Sequence, residues 1–100
     1  MIVCEFSIVP IGKGESVSPF VARCQKIVEE SGLPHQLTAM GTLLEGEWDE
    51  IMAVIKKCHM AVRAECRRVS TTIRIDDREA PPGRLQQKVR SVEEKLAKLT

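Results

Sequence analysis

The apolar residues of this chain change their spacing as the sequence proceeds, and the order of those changes limits the fold more than any other feature. From Ile2 to Val9 the spacing is two: Ile2, Cys4, Phe6 and Ile8 alternate with Val3, Glu5, Ser7 and Val9. Period two marks a strand with unlike faces. The first set is uniformly apolar and is expected to face the core. The second mixes Val with Glu and Ser, so its face is only partly dry. Pro10 ends the strand. From Val17 to Val28 the spacing becomes three and four: Val17, Phe20, Val21, Cys24, Ile27 and Val28 form one helical stripe. That helix is expected to begin near Ser16 or Ser18, with Pro19 in its first turn. Ser31-Gly32 followed by Pro34 ends it.

Pro34 to Gly46 reads as two short strands, Leu37-Thr38-Ala39-Met40 and Thr42-Leu43-Leu44-Glu45, with Gly41 marking the turn. A second helix is expected to start near Glu47-Trp48-Asp49-Glu50, where acidic residues suit the positive end of the helix dipole. Ile51, Val54, Ile55, Cys58, Ala61 and Val62 form its stripe, and Arg63, Arg67 and Arg68 gather at its other end. Period two returns from Val69 to Ile75, where Val69, Thr71, Ile73 and Ile75 alternate with polar residues. After the break at Glu79-Ala80-Pro81-Pro82-Gly83, a last helix is expected from Arg84 to Lys98. Its apolar positions, Leu85, Val89, Val92, Leu96 and Leu99, follow the narrow seam of a coiled coil. That seam is expected to dock on this sheet or on another subunit.

The order is therefore β-α-β-β-α-β-α. Right-handed crossovers place the third strand between the first and second and the fourth beside the first. The expected fold is α+β: a ferredoxin-like βαββαβ antiparallel sheet of order 4-1-3-2, helices on one face, with an extra C-terminal helix. One hundred residues suffice for one domain, 1–100. A domain this small buries a modest share of its surface, so association with further copies is expected.

Composition narrows the function. The net charge is +1, and the aromatics are Phe6, Phe20 and Trp48 only. Nucleic-acid binding calls for a basic face or a set of stacking rings, and neither is present. The first residues resemble no export signal, and no apolar run approaches the roughly 20 residues of a membrane span. A cytoplasmic protein with no membrane and no nucleic-acid partner is expected. Cys4, Cys24, Cys58 and Cys66 form no C-x-x-C pair, so reduced, buried thiols are expected. Cys58, His59 and Cys66 read as one helix, which would separate the two thiols by roughly 12 Å, too far to share a metal ion.

No H-E-x-x-H, Walker loop or G-x-S-x-G occurs. His35 and His59 are expected to have no chemical role. Gly12-Lys13-Gly14 precedes a helix but fits no nucleotide fingerprint, so a turn is favoured over a phosphate cradle. Asp76-Asp77-Arg78-Glu79 lacks the spaced ligands of a calcium loop. A non-enzymatic protein without cofactor is expected.

The segment Thr38 to Trp48 carries the most information. Thr38, Thr42 and Glu45 fall on strands expected beside the one bearing Ser7. Hydroxyls and a carboxylate brought together there suit a small polar heterocycle, because a carboxylate accepts hydrogen bonds from an amino group. Spacing alone favours the plainer reading, in which Thr is a good strand residue and Glu45 points to water.

Resemblance adds to this. Ser7-Ile8-Val9-Pro10-Ile11-Gly12, Ser31-Gly32-Leu33, Met40-Gly41-Thr42-Leu43-Leu44-Glu45-Gly46-Glu47 and Arg68-Val69-Ser70-Thr71-Thr72-Ile73-Arg74-Ile75-Asp76-Asp77-Arg78 resemble the small thiamine-binding protein family related to YkoF-like domains. Lys88-Val89-Arg90-Ser91-Val92-Glu93 also fits. The resemblance implies homotetramers assembled through sheets and C-terminal helices. It implies binding of thiamine or its hydroxymethylpyrimidine moiety, without catalysis. The candidate ligand-binding residues are Ser7, Thr38, Met40, Thr42 and Glu45, with Trp48 as a wall. His35 stands where an aromatic is common in the family. The competing reading is a regulatory or structural oligomer that binds no heterocycle.

Overall fold

The computed structural model describes residues 1–15 and 17–99. Seven elements follow in the expected order: β1 (Ile2–Pro10), α1 (Ser18–Glu30), β2 (His35–Thr38), β3 (Gly41–Gly46), α2 (Trp48–Arg63), β4 (Val69–Asp77) and α3 (Arg84–Lys98). The strands form one antiparallel sheet of order β2-β3-β1-β4, the ferredoxin-like order expected from the crossovers. Of the two serines expected at the first helix, Ser18 begins α1, and Ser16 lies outside the described residues.

The period-two pattern maps onto the sheet as read. Ile2, Cys4, Phe6 and Ile8 are buried against the helices, and register puts Leu44 opposite Cys4 and Thr42 opposite Phe6 on that face. Cys24 and Val28 of α1 and Ile51, Val54, Ile55, Cys58 and Val62 of α2 close the core. Each fully buried Leu, Ile or Val there contributes about 1.5–3 kcal/mol. At the start of α2, the Glu47 N–H donates to Glu50 Oε1 at 3.1 Å, half of a capping box. No described helix is long and apolar enough to cross a membrane.

Two local expectations are corrected. The β2–β3 turn is Ala39-Met40, and Gly41 is the first residue of β3, paired with Thr38. The Thr38 hydroxyl sets this turn. It accepts from the N–H groups of Met40 (3.2 Å) and Gly41 (3.1 Å) and donates to the Gly41 carbonyl (2.8 Å). Gly41 is required for another reason: a Cβ there would stand 2.9 Å from the Phe6 carbonyl oxygen of β1. The second correction concerns Cys66, which does not share a helix with Cys58 and His59. α2 ends at Arg63, whose guanidinium donates to the Cys66 carbonyl at 3.0 Å. Arg67 and Arg68 lie beyond the helix for the same reason.

All four cysteines are free and buried. Cys24 and Cys58 face each other across α1 and α2, each thiol directed at the other's carbonyl oxygen, at 3.9 and 3.6 Å. The hydrogen bond from Cys58 pulls the Cys24 thiol down, while the same contact and burial push Cys58 up. Burial, helped by Glu5, raises Cys4 to about 11.

Among the described residues the last helix is tied to the sheet near its start. Arg84 is buried, and its guanidinium meets Asp76 Oδ2 at 2.8 Å; Lys88 Nζ reaches the same oxygen at 2.8 Å. Beyond Leu85 the apolar seam leaves the sheet, and Val89, Val92, Leu96 and Leu99 are exposed. Lys88, then Arg84, hold the Asp76 carboxyl below the ordinary carboxylate range. A carboxyl depressed in the folded state adds stability above its unfolded pKa and loses it as pH falls through the folded value. Between about pH 5 and pH 2, the wild type is therefore expected to lose more melting temperature than Asp76→Asn. Thermal unfolding of both proteins across that range is the check; parallel curves would refute it.

Candidate functional site

β1 runs to Pro10, but β3 pairs with it only from Ile2 to Phe6. On that side Ser7, Ile8 and Val9 have no paired strand, although β4 still pairs with them on the other. The gap is roofed by the first half of α1 and bounded by the β2–β3 turn. A cavity of about 440 Å³ fills it, walled by Phe6, Ile8, Val17, Val21, Cys24 and Leu37 and rimmed by Ser7, Thr38, Met40 and Thr42. That volume is within the usual range of small-ligand sites, roughly 300–1,000 Å³.

Four of the six residues singled out from the sequence thus line one cavity, though not as a single face of the sheet. Thr42 faces the helices opposite Phe6 and is buried. Ser7 is half-buried, and alternation puts it on the opposite face, level with Thr72 of β4. Met40 is in the turn, 83% exposed, an adaptable apolar rim. The Thr38 hydroxyl already makes two acceptances and one donation in the turn, all that a hydroxyl offers.

Glu45 and Trp48 lie elsewhere. Glu45 is at the other end of β3, on the face away from α1 and α2, and only 2% exposed. Its Oε1 accepts from the Arg84 N–H (2.5 Å) and its Oε2 from the Gly83 N–H (3.1 Å). The carboxylate therefore caps α3, whose first N–H groups have no partner within the helix. It also walls a second cavity of about 440 Å³ beneath Pro82 and Gly83, shared with His35, Gln36 and Gln86. His35 donates from Nδ1 to the Leu33 carbonyl at 2.7 Å. Trp48 opens α2 beyond that end of β3, 53% exposed.

The walls contributed by α1 were not anticipated from the sequence. Val17, Val21 and Cys24 belong to a helical stripe that reads as ordinary core, and nothing in their spacing shows that β3 stops short beneath them. A groove of about 730 Å³ lies alongside, between α1 and the edge strand β2, lined by Val17, Val21, Leu37, Gln25, Lys26 and Glu29. Among the described residues the cavity is lined by no ionisable carboxylate or cation, and the groove is lined by Lys26 and Glu29, one of each sign. Hydroxyls and open strand backbone inside apolar walls suit a flat, mostly neutral heterocycle.

Residues 4–93 match the family described as thiamine-binding protein. The chain belongs to that family. Among its relatives, the UPF0045 protein sll0230 of Synechocystis sp. is 42% identical over 93 residues, covering 92% of this chain and 77% of the relative. The UPF0045 protein MJ1052 of Methanocaldococcus jannaschii is 36% identical, covering 93% of each chain. Its crystal structure superposes with a TM-score of 0.85 at 35% identity, over 93% of this chain and 96% of that one. A Thermotoga maritima protein with a suggested role in thiamine biosynthesis or salvage shares the fold at a TM-score of 0.74, with 18% identity, over 88% of this chain and 97% of its own. Membership in the family gives the αβ framework and supports a small-molecule binding role.

Proposed function

We propose that this protein is a non-catalytic binder of thiamine or its hydroxymethylpyrimidine moiety, working as a homo-oligomer, most simply a tetramer. The observation that carries the reading is the cavity at the unpaired end of β1, where Ser7, Met40 and Thr42 meet the apolar face of α1. An aminopyrimidine ring offers two flat apolar faces and a polar rim, and the cavity offers apolar walls with hydroxyls at the rim. Family membership supports the same ligand class. Association is supported by the exposed seam of Val89, Val92, Leu96 and Leu99, which a second copy of α3 would cover.

Thermal-shift and calorimetric titration with thiamine and with hydroxymethylpyrimidine test this. A ligand specific for the folded state stabilises it by about 2.7 kcal/mol at one hundred times its Kd. For a domain of this length that is a rise of roughly 10–20 °C. Absence of heat and of shift at millimolar concentrations of both compounds would reject the ligand and leave an oligomer with a regulatory or structural role. Sedimentation equilibrium decides the assembly: a mass of one chain, 11.2 kDa, would reject it.

A further inference from the structure

The acceptor expected for a ligand's amino group was Glu45, and the fold commits that carboxylate to α3. Its oxygens receive the Gly83 and Arg84 N–H groups at the end of β3 away from the α1 cavity. The Thr38 hydroxyl is saturated by the turn. Another acceptor stands beside the cavity. Gln25 is one helical turn beyond Val21, on the flank of α1 that faces Leu37. It lines the groove, and Val17, Val21 and Leu37 line both groove and cavity, so the two spaces adjoin along those side chains. Its Oε1 is buried and has no hydrogen-bond partner, the only described side-chain oxygen or nitrogen in that condition. Buried acceptors are almost always paired, because desolvation without a partner is costly.

We propose that Gln25 reads the ligand: its half-buried side chain turns so that the carbonyl, closed off in the ligand-free state, accepts a hydrogen bond from an exocyclic amino group on a heterocycle seated between α1 and Leu37, and the site selects amino heterocycles over their oxo analogues. This rests on the heterocycle reading above and names the residue that gives it specificity. The amino compound brings a donor to an oxygen that lacks one. The oxo compound brings a second acceptor against it. Sites built around a hydrogen bond discriminate against analogues that cannot make it, because the site's own group is then left unpaired. The groove is open, so the preference is expected to be about ten-fold.

The test is calorimetry on wild type, Gln25→Met and Gln25→Glu, with thiamine and with the analogue whose pyrimidine carries oxo in place of amino. Wild type is expected to favour the amino compound about ten-fold. Gln25→Met keeps the length of the side chain without an acceptor and should bind both compounds equally. Gln25→Glu keeps an acceptor and should retain the preference. Without ligand, Gln25→Met should melt at or above the wild-type temperature, since no internal hydrogen bond is lost. Equal binding of both compounds by wild type, or an undiminished preference in Gln25→Met, would overturn the role of Gln25 while leaving the ligand class intact. A fall in melting temperature of more than about 5 °C in ligand-free Gln25→Met would reveal an internal partner and overturn it equally. No binding of either compound by wild type overturns the ligand reading and this inference together.

Discussion

Glu45→Ala is expected to lower the stability of the protein by about 2–4 kcal/mol. The carboxylate is 2% exposed and receives two N–H groups at the start of α3. Removing it leaves the N–H of the buried Arg84 unpaired, costing about 1–3 kcal/mol, while the N–H of the exposed Gly83 turns to water. It also removes a negative charge from the positive end of the helix dipole, worth about 0.3–1 kcal/mol or somewhat more where partly buried. In melting temperature the loss is about 8 °C or more. Glu45→Gln keeps the shape and one good acceptor, and should lose less than half as much. Differential scanning calorimetry on the three proteins measures this. A fall below about 3 °C for Glu45→Ala would mean that the cap contributes little.

Leu44→Ala should cost about 2–5 kcal/mol, by lost transfer energy and by the cavity left behind. Leu44 is wholly inaccessible on a central strand, opposite Cys4 on one side and His35 on the other. Its neighbour Leu43 points to the other face and is only half-buried, so Leu43→Ala should cost less than half as much. Urea unfolding of both variants compares the two faces of β3 directly. Equal losses would contradict the register.

The element order and the buried faces were legible because both follow from local spacing. A period of two or of three-to-four survives whatever the rest of the chain does, and the crossover rule then orders the strands. The β2–β3 turn was misplaced by two residues because the expectation rested on Gly41. The bend is made instead by the Thr38 hydroxyl, and Gly41 answers a different demand, the approach of the Phe6 carbonyl. Cys66 was read into α2 because the run Arg63 to Arg68 contains no glycine or proline to announce the end of the helix. The cavity was half legible. Ser7, Thr38, Met40 and Thr42 were singled out together and do line one space. Its α1 wall was not, because Val17, Val21 and Cys24 look the same in sequence whether they cover a strand or a gap. The duty of Glu45 depends on Gly83 and Arg84, residues 38 and 39 positions away, and no local pattern links them.

The joint between Glu45 and Gly83-Arg84 bears on when α3 can exist at all. A helix of fifteen residues with its seam in water is marginal in isolation, because closing the first turn fixes several dihedrals for a single hydrogen bond. In this fold the first turn is closed on a template. β3 holds a carboxylate where two of the free N–H groups must come, and the left-handed Gly83, at φ 96°, turns the chain into it. Nucleation, the improbable step, is thereby transferred to the sheet. During synthesis β3 leaves the ribosome well before Arg84, so the template precedes the segment it seeds. The C-terminal arm is thus a helix whose first turn a closed sheet favours.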